Sequence, residues 1–520
     1  MSSRDLLLAL DVGTQSSRAV LHDRLGAELS IGQAKHAPLK SPYSGAVTQD
    51  PQDVLEAICR ASRECMEGHD VERIAAVSLT SQRSAVIPTK ADGEPLADAI
   101  SWLDTRSAHN TPLLSSVPSG LLRMLPDTNL LVMFAGWSRA NIFSEWDPEV
   151  FEKAQKWLTL SGWLTHWMTG RFVDAAGAIA GVWPFEAKTS SWMGPGFVRN
   201  MLGFREGTLP DLVPAMAELG KLRAEAAEAM GLMAGMPLIA VGGDKQSEVL
   251  GGGVPAADRS LGAVSLGTAA SVMMPETRCK KSPTYRYLTN VAAEPNAWIR
   301  EVMVMRGFWM VSWFVREFAD QERRMAAESG GSAEGILSER ALTEVPPGAN
   351  GLMLLPRFTP MPDVPNDRGV LLGLTDQHDR LAIFRAMIEG IALDLKRGLL
   401  LLERTGGRKM RALRVGGGGS RSDLVVRTCA SVLNRPLEQG ATHELSALGA
   451  SICAAVSLGW YPDTQAAVAN MTRVAERIEP DPELARFYEG QYRKAFLPAL
   501  RRVRPLTGWL RHHRYERGDG

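Results

Sequence analysis

The N-terminal part of the chain alternates between short apolar runs and one amphipathic stretch. Residues 6–10, 18–22 and 27–32 predict three neighbouring strands, the first two joined as a hairpin. A helix is predicted from Asp50 to residue 68, with Asp50 as its N-cap and a proline at the first helical position. Residues 74–82 are apolar and β-branched, which predicts a central strand covered on both faces.

A second series of elements follows further along the chain. Residues 148–170 predict one helix that ends at a glycine, and residues 379–407 predict a long helix. At 263–274 an apolar run meets Gly-Thr and returns as a second apolar run, which repeats the pattern at 8–20. This repeat predicts a duplicated unit, with one copy per domain and a boundary near residues 245–260.

The last predicted elements alternate with irregular segments. Residues 411–419 predict a strand that runs into glycines, and residues 422–436 predict a capped helix. The glycine-rich segment 330–335 and the proline-rich segment 356–369 predict loops.

Composition narrows the class of protein. At 520 residues the chain exceeds the usual size of one core, which predicts two domains. A hydrophobic fraction of 45% with 22% charged residues is typical of a soluble globular protein. The formal net charge of zero excludes a global basic field of the kind that attracts nucleic acid or anionic lipid. Residues 501–520 are locally basic, and we expect a solvated tail there.

Cysteine use and hydropathy point to a cytoplasmic protein. The five cysteines fit no CxxC or metal-ligand spacing, which is typical of reduced thiols. The N-terminus lacks the pattern of a signal peptide. No apolar run approaches the ~18 residues of a membrane span, so no membrane partner is predicted.

The turn between the first two predicted strands carries the first candidate chemistry. Backbone N–H groups around Gly13 and the hydroxyls of Thr14 and Ser16 can surround phosphate oxygens. Arg18 adds a charged donor suited to phosphate. Asp11 is placed to hold Mg²⁺, directly or through water, because hard oxygen ligands suit that ion. Taken alone, this stretch fits a solvent-exposed hairpin turn better than a phosphate site.

A second acid, Asp244, follows an apolar run and the paired glycines Gly242 and Gly243. An acid at the end of a buried strand can approach a bound hydroxyl and take its proton as the oxygen attacks phosphorus. The alternative is an acid that only caps the helix after it.

Two further turns contain glycine. The turn around Thr268 is a second Gly-Thr turn, and two such turns make sense if they close on one polyphosphate from opposite sides. The loop with Gly417 and Gly418 lies between a strand and a helix, where a flat ring or a phosphate can approach the backbone. It matches neither the GxGxxG dinucleotide fingerprint nor a P-loop. Each turn alone also fits a tight connection.

Together, in this order and spacing, these segments resemble the FGGY family of carbohydrate kinases over nearly the full chain. Residues 11–18 are similar to the family's first phosphate motif, and 48–51 to its Glu-Gln-Asp-Pro segment. Residues 242–246 are similar to the motif that carries the catalytic base, and 265–271 to the second phosphate motif. Residues 416–422 are similar to the adenine-side motif.

The resemblance implies an α/β fold of two ribonuclease H-like domains, of the actin-like ATPase type, with a nucleotide cleft between them. It assigns the sugar or polyol to residues 1–247 and ATP to residues 248–500, with Mg²⁺ as cofactor. It implies that Asp244 is the catalytic base and Asp11 the metal-side acid. The residues implied to bind the nucleotide are Thr14, Gln15, Ser16, Arg18, Thr268, Gly307, Gly417 and Gly418. Those implied at the acceptor site are Gln82, Arg83, Trp102, Asp104, Asp244 and Lys245.

The resulting prediction is an ATP-dependent kinase that phosphorylates a hydroxyl of a small sugar or polyol. The acceptor is expected to be a ketose such as xylulose or ribulose, or a three- to five-carbon polyol. The resemblance also implies a homo-oligomer, most simply a dimer, with no nucleic-acid partner. The alternative is a nucleotide-dependent switch of the actin or chaperone type. The acceptor segment around Arg83, together with Asp244, favours the kinase, because a switch does not need it.

Four positions depart from the family pattern. Ser84 stands where glycerol kinases have a glutamate, and Lys245 stands where a glutamine follows the base. Arg139 and Ala382 lie in degenerate copies of the two family signatures. These departures put the identity of the acceptor in doubt and leave the nucleotide side intact.

Overall fold

The computed structural model describes residues 4–109, 128–359 and 367–512 of the chain. Within them, two mixed β-sheets form the centres of an N-terminal and a C-terminal half. In the first sheet the neighbouring strands are, in order, Glu218–Lys221, Pro237–Gly243, Ile74–Ser81, Leu6–Val12, Ser16–His22 and Glu28–Lys35. In the second they are Leu288–Val291, Trp298–Val304, Ala270–Glu276, Leu261–Leu266, Ala412–Gly416, Leu437–Gly440 and Val474–Ile478.

The two sheets repeat one pairing pattern. Counted from the edge strands Glu218–Lys221 and Val474–Ile478, the first five pairs of neighbours are antiparallel, parallel, parallel, antiparallel and antiparallel in both sheets. The second sheet has one further antiparallel pair. The hairpin that contains Asp11 therefore corresponds to the hairpin that contains Ser265. The repeat confirms the predicted duplicated unit and the α/β class.

Both faces of the first sheet are covered. The strand Leu6–Val12 and its parallel neighbour Ile74–Ser81 are buried along their whole length. Because alternate residues of a strand point to opposite faces, one set of its leucines packs against helix Pro51–Met66. The other set packs against helix Leu445–Ser457, which the C-terminal half contributes. The prediction of central strands covered on both sides is confirmed.

Two helix predictions are confirmed at their ends. Helix Pro51–Met66 begins after Asp50, whose side chain accepts a hydrogen bond from the backbone N–H of Gln52. Helix Arg380–Gly406 is the predicted long helix, and it ends at Gly407 with a left-handed φ of 67°. A glycine tolerates that conformation at little cost, which is why it marks the helix end.

The prediction of one helix over 148–170 is wrong. The structure has helix Pro148–Lys153, then strand Lys156–Thr159, then helix Leu160–Thr169. The strand pairs antiparallel with Val86–Thr89, and its tryptophan and leucine are fully buried. The segment is a strand because it pairs with a strand that is distant in the sequence. The hydrophobic periodicity of the segment itself does not reveal such pairing.

The other elements complete the layers around the two sheets. A four-stranded sheet has the strand order Thr48–Gln49, Ala99–Ile100, Val86–Thr89 and Lys156–Thr159. Three two-stranded sheets pair Val173–Ala175 with Asp211–Val213, Phe185–Glu186 with Ser191–Trp192, and Met353–Leu355 with Val370–Leu372. The remaining α-helices are Thr128–Trp137, Arg139–Trp146, Phe197–Met201, Ala224–Met230, Asp244–Gly251, Trp309–Phe318, Asp320–Ser329, Ala333–Glu344, Asp423–Leu433, Thr464–Met471, Pro482–Gln491 and Leu497–His512. Across the described ranges, no helix is both long and apolar enough to cross a membrane.

Two sequence predictions fall partly outside the described residues. Of the irregular segment 356–369, residues 360–366 lie outside them. Helix Leu497–His512 includes the first part of the basic segment 501–520, so that part is helical, and residues 513–520 lie outside the described ranges.

Two helices from the two halves cross between the sheets at very short range. A Cβ added to Gly251, in helix Asp244–Gly251, would lie 1.9 Å from a carbonyl oxygen of the facing helix Leu445–Ser457. A Cβ added to Gly449 would lie 2.0 Å from a carbonyl oxygen of the first helix. Since a side chain at either position would push the helices apart, the two glycines fix where the helix that begins at Asp244 lies.

Candidate active site

A cavity of about 2650 Å³ lies between the two halves and is lined by residues of both. The predicted site residues that line it are Thr14, Gln15, Ser16, Arg18, Arg83, Trp102, Asp104, Asp244, Lys245, Thr268 and Gly418. The other four, Asp11, Gln82, Gly307 and Gly417, adjoin lining residues without being part of the lining. The fold therefore brings the scattered motifs to one place.

Asp11 is the next-to-last residue of strand Leu6–Val12, close to the first Gly-Thr turn, and it is buried. Its Oδ1 has no hydrogen-bond partner among the described residues. Burial, with the negative charge of Asp244 added, raises the pKa of Asp11 from its ordinary value to about 7. A buried carboxylate oxygen without a donor is stabilised when a cation binds it, so Asp11 fits the role of a metal-side acid.

The described residues hold no group of three or more His, Cys, Asp and Glu side chains that could bind a metal ion. Asp11 alone suits an ion that takes one or two carboxylates and completes its shell with water and phosphate oxygens. Mg²⁺ binds in this way in phosphoryl-transfer sites.

Thr14, in the first turn, joins the phosphate side to the predicted acceptor segment. The Trp102 indole N–H donates to the Thr14 hydroxyl oxygen at 3.0 Å, and that hydroxyl donates to Gln82 Oε1 at 3.0 Å. Gln82 in turn donates to Gln49 Oε1 at 2.8 Å. Because both ends of the Gln82 amide are used, its role in this structure is to position Thr14.

Asp244 is the first residue of helix Asp244–Gly251, directly after a central strand. Its Oδ1 accepts a hydrogen bond from the Lys245 backbone N–H at 2.9 Å and lies 3.5 Å from Arg83 Nε. The side chain is 28% exposed, so a ligand in the cavity can reach it. As the first residue of the helix, Asp244 lies at the positive end of the helix dipole.

Arg83 bridges the two halves. Its Nη1 and Nη2 donate to the two carboxylate oxygens of Glu301, at 2.8 and 3.1 Å. Glu301 belongs to the C-terminal sheet, is only 1% exposed, and also accepts from Asn290 at 2.9 Å. Burial alone would raise the pKa of Glu301, but the charge and hydrogen bonds of Arg83 outweigh it, and the pKa is lowered. Arg83 is thereby held beside Asp244.

Lys245 points toward the C-terminal sheet. Its Nζ donates to Glu248 Oε2 at 2.7 Å and to the Ser265 hydroxyl oxygen at 2.5 Å. Burial lowers the pKa of Lys245, yet the negative charges of Glu248 and Asp244 raise it further, so the pKa is above its ordinary value. The ammonium therefore ties the helix of Asp244 to the second Gly-Thr turn.

Asp104 lies at the cavity wall with its carboxylate already bound. Arg106 donates to its Oδ2 from Nε at 3.0 Å and from Nη2 at 2.8 Å, and the Val47 N–H donates to the same oxygen at 3.0 Å. These contacts fix the loop that presents Trp102.

The second Gly-Thr turn is held by close backbone packing. A Cβ on Gly307 would lie 2.3 Å from the Ala270 nitrogen, and one on Gly417 would lie 2.7 Å from the Leu266 carbonyl carbon. Gly417 also has a φ of +83°. A Cβ on Gly418 would meet no atom within 4 Å. Gly307 and Gly417 thus hold the turn in place, while Gly418 opens to the cavity.

The family models decide the assignment. The model described as FGGY family of carbohydrate kinases, N-terminal domain, matches residues 6–251. The corresponding C-terminal domain model matches residues 262–458. The chain belongs to the FGGY family of carbohydrate kinases. The predicted family is confirmed, and this FGGY protein is a kinase that uses an alcohol group as acceptor and has the family's two-domain, actin-like ATPase fold.

Individual relatives of this FGGY kinase agree with the family. An uncharacterized sugar kinase of Escherichia coli K12, YgcE, is 29% identical, with 95% of this chain and 93% of that protein covered. A xylulose kinase of Staphylococcus epidermidis is 24% identical, with 98% and 99% covered. The crystal structure of ligand-bound xylulose kinase from Lactobacillus acidophilus superposes with a TM-score of 0.79 at 21% identity, over 97% of this chain and 99% of that one.

Three residues of the FGGY kinase site were missed by sequence reasoning. Gln49 contacts Gln82 and lies in the segment 48–51, whose likeness to a family motif was a usable signal. Glu301 and Asn290 lie within strands, and their sequence neighbourhood carries no signal of a role.

Proposed function

We propose that the chain transfers the γ-phosphoryl group of ATP to a hydroxyl of a small polyol or ketose, of the size of xylulose or ribulose. The observation that carries this proposal is Asp244, a carboxylate open to a cavity whose walls include both Gly-Thr turns. In the proposal, residues 1–247 bind the acceptor and residues 248–500 bind the adenine side of ATP. The dimer and the cytoplasmic location stay predictions.

The proposed chemical step is an in-line displacement at phosphorus. Asp244 takes the proton of the acceptor hydroxyl as its oxygen forms a bond to the γ-phosphorus, and the bond between that phosphorus and the β–γ bridging oxygen breaks, which releases ADP. Such a step depends on positioning and on stabilising charge more than on covalent chemistry. The two halves of the cavity supply both, and enclosure keeps water from accepting the phosphate.

The proposed phosphate contacts come from the two turns. The residues assigned to the phosphates are Thr14, Gln15, Ser16, Arg18 and Thr268. Gly418 leaves room for the flat adenine ring. Gly307 and Gly417 hold the second Gly-Thr turn in its position beside that ring. On binding, Mg²⁺ would neutralise phosphate charge, and Asp11 would hold it, directly or through water.

On the acceptor side, we assign a direct polar contact to Arg83 and an apolar contact to the ring of Trp102, whose N–H is already donated to Thr14. Gln82, Asp104 and Lys245 act by positioning, because their polar groups are already used within the protein. A switch of the actin or chaperone type has less support, because it does not require an arginine held beside a carboxylate in the cavity.

The test is ADP release, measured over a panel of polyols and ketoses of three to seven carbons. We expect at least one acceptor to stimulate release well above the basal rate in the presence of Mg²⁺. Asp244→Asn, which keeps the shape of the side chain, is expected to lower kcat by about 10²- to 10⁴-fold, the usual contribution of a general base. ATP binding, followed by calorimetry, should stay close to wild type.

Near-wild-type turnover in Asp244→Asn would contradict the assignment of the base. Failure of every acceptor, with ATP still bound, would contradict the kinase proposal and favour the switch.

A further inference from the structure

The acceptor side of the cavity contains a second arginine in a different electrostatic setting from Arg83. Arg139 lines the cavity with a side chain that is 13% exposed. Within the described residues, its one hydrogen bond below 3.2 Å goes to the Ser101 carbonyl oxygen, at 3.0 Å. Its contacts with the Asp104 carbonyl oxygen are longer, at 3.4 and 3.5 Å. Since a guanidinium has five N–H donors, Arg139 retains donor capacity for a ligand.

The carboxylate beside Arg139 is engaged by another arginine. Arg106 binds the Asp104 carboxylate with two donors, at 3.0 and 2.8 Å, whereas Arg139 comes no closer to it than 3.8 Å. Two guanidiniums therefore share one carboxylate, which leaves a net charge of +1 on these three side chains. Burial lowers the pKa of Arg139 to about 10; the negative charge of Asp104 opposes this shift, and the positive charge of Arg106 adds to it.

Arg83, in the same cavity, is an arginine whose positive charge is balanced by carboxylates. It faces two carboxylates, Glu301 at 2.8 Å and Asp244 at 3.5 Å. A guanidinium with that much negative charge around it suits a neutral hydroxyl. Arg139, in contrast, has only the Asp104 carboxylate near it among the described residues, and it shares that carboxylate with Arg106. Arg139 is also the first residue of helix Arg139–Trp146, where the helix dipole opposes a cation. A buried charge without a full partner is costly unless a ligand supplies the missing charge.

The geometry points to an acidic acceptor for this enzyme: a sugar acid, whose carboxylate binds the Arg139 guanidinium while one of its hydroxyls receives the phosphoryl group at Asp244. This inference rests on the proposed kinase function and narrows its substrate class from neutral sugars to polyhydroxy carboxylates. Arginine suits the task because its planar fork of donors matches a carboxylate.

The test compares acids and alcohols of the same configuration. ADP release is measured with pairs such as gluconate and glucitol, xylonate and xylitol, and with neutral ketoses, on wild type and Arg139→Gln. We expect the best acid to exceed its alditol in kcat/KM. Arg139→Gln should lower kcat/KM for the acid by about 10- to 100-fold, the range of a hydrogen bond to a charged group. The variant should change turnover of a neutral acceptor far less and leave the KM for ATP unchanged.

Two further variants separate binding from folding. Arg139→Lys keeps the charge and should recover part of the lost activity on the acid, even if Arg139→Gln folds poorly. Arg205→Gln removes an exposed arginine of the same half, one that pairs with Glu152, and should leave kcat/KM for the acid near wild type.

The outcomes are distinguishable. If neutral acceptors work and no acid does, the sugar-acid inference fails while the proposed kinase function stands. If no acceptor of either class stimulates ADP release, the proposed function itself fails. If Arg139→Gln raises the KM for ATP equally with every acceptor, Arg139 binds a phosphate of the nucleotide, and the inference is wrong.

Discussion

The two halves of the molecule carry different side chains at corresponding strand ends beside the cavity. Asp11 and Ser265 each lie two residues before the glycine of a Gly-Thr turn, and Arg83 and Gly418 each lie two residues after the end of the parallel neighbouring strand. In each pair the N-terminal half has a charged side chain, and the C-terminal half has an uncharged side chain or none.

In the proposed function, this difference lets one folding unit, used twice, serve two kinds of ligand chemistry. Charged side chains suit a wall where a proton moves and phosphate charge is neutralised. Bare backbone suits a wall against which a flat ring lies, since a Cβ would take its space. The pairing pattern of the sheets is the same in both halves, so the division of labour lies in the residues at the strand ends.

The largest expected effect concerns the first pair, through the carboxylate of Asp11. Its folded-state pKa, about 7, is above the ordinary value of 3.8. The folded state therefore holds the proton more tightly, and the associated stability is present at low pH and lost as pH rises from about 4 to 7. The loss is on the order of 4 kcal/mol, since one pKa unit corresponds to about 1.4 kcal/mol.

Asp11→Asn should remove this loss. We expect the variant, without Mg²⁺ or nucleotide, to be more stable than wild type at pH 8 and equal to it near pH 4, as measured by urea unfolding at each pH. Identical pH profiles for the two proteins would contradict the buried, unpartnered state of Asp11. The variant should also need more Mg²⁺ to reach half-maximal activity.

The next effect concerns the ion pairs that join the halves. Glu301→Gln leaves the buried Arg83 without its main partner, and the loss of one member of a buried pair costs about 3 kcal/mol. Glu444→Gln is the matched control, because the Arg18–Glu444 pair also joins the two halves but is 32% and 15% exposed. Its loss should cost less than about 1 kcal/mol.

Urea unfolding of both variants measures the difference. Equal losses in free energy of unfolding would show that burial does not distinguish the two pairs, and that Arg83 keeps its position by contact with Asp244 alone.

Contiguous motifs could be predicted from sequence, and contacts between distant segments could not. The two Gly-Thr turns were predicted correctly as connections between paired strands, because strand, turn and strand follow one another along the chain. The same locality placed the end of helix Arg380–Gly406. These features depend on interactions between residues a few positions apart.

Glu301 could not be predicted, since it lies 218 positions from Arg83 and sits inside a strand of mixed composition. The placement of Gln82 had the same limit: the resemblance implied a position at the acceptor site, but its partners, Thr14 and Gln49, come from other elements. The strand Lys156–Thr159 was predicted as helix for a related reason, because its pairing partner lies outside any local window.

The smallest expected effect separates two adjacent glycines of the C-terminal wall. Gly417→Ala forces a non-glycine residue into a φ of +83° and places its Cβ 2.7 Å from the Leu266 carbonyl carbon, which should cost about 2 kcal/mol of stability. Gly418→Ala meets no protein atom within 4 Å, so its stability should match wild type. Because its methyl group enters the cavity, Gly418→Ala should instead weaken ATP binding, measured by calorimetry. If Gly418→Ala bound ATP as wild type does, the adenine would not lie against this loop, and the contrast between Arg83 and Gly418 would have no functional meaning.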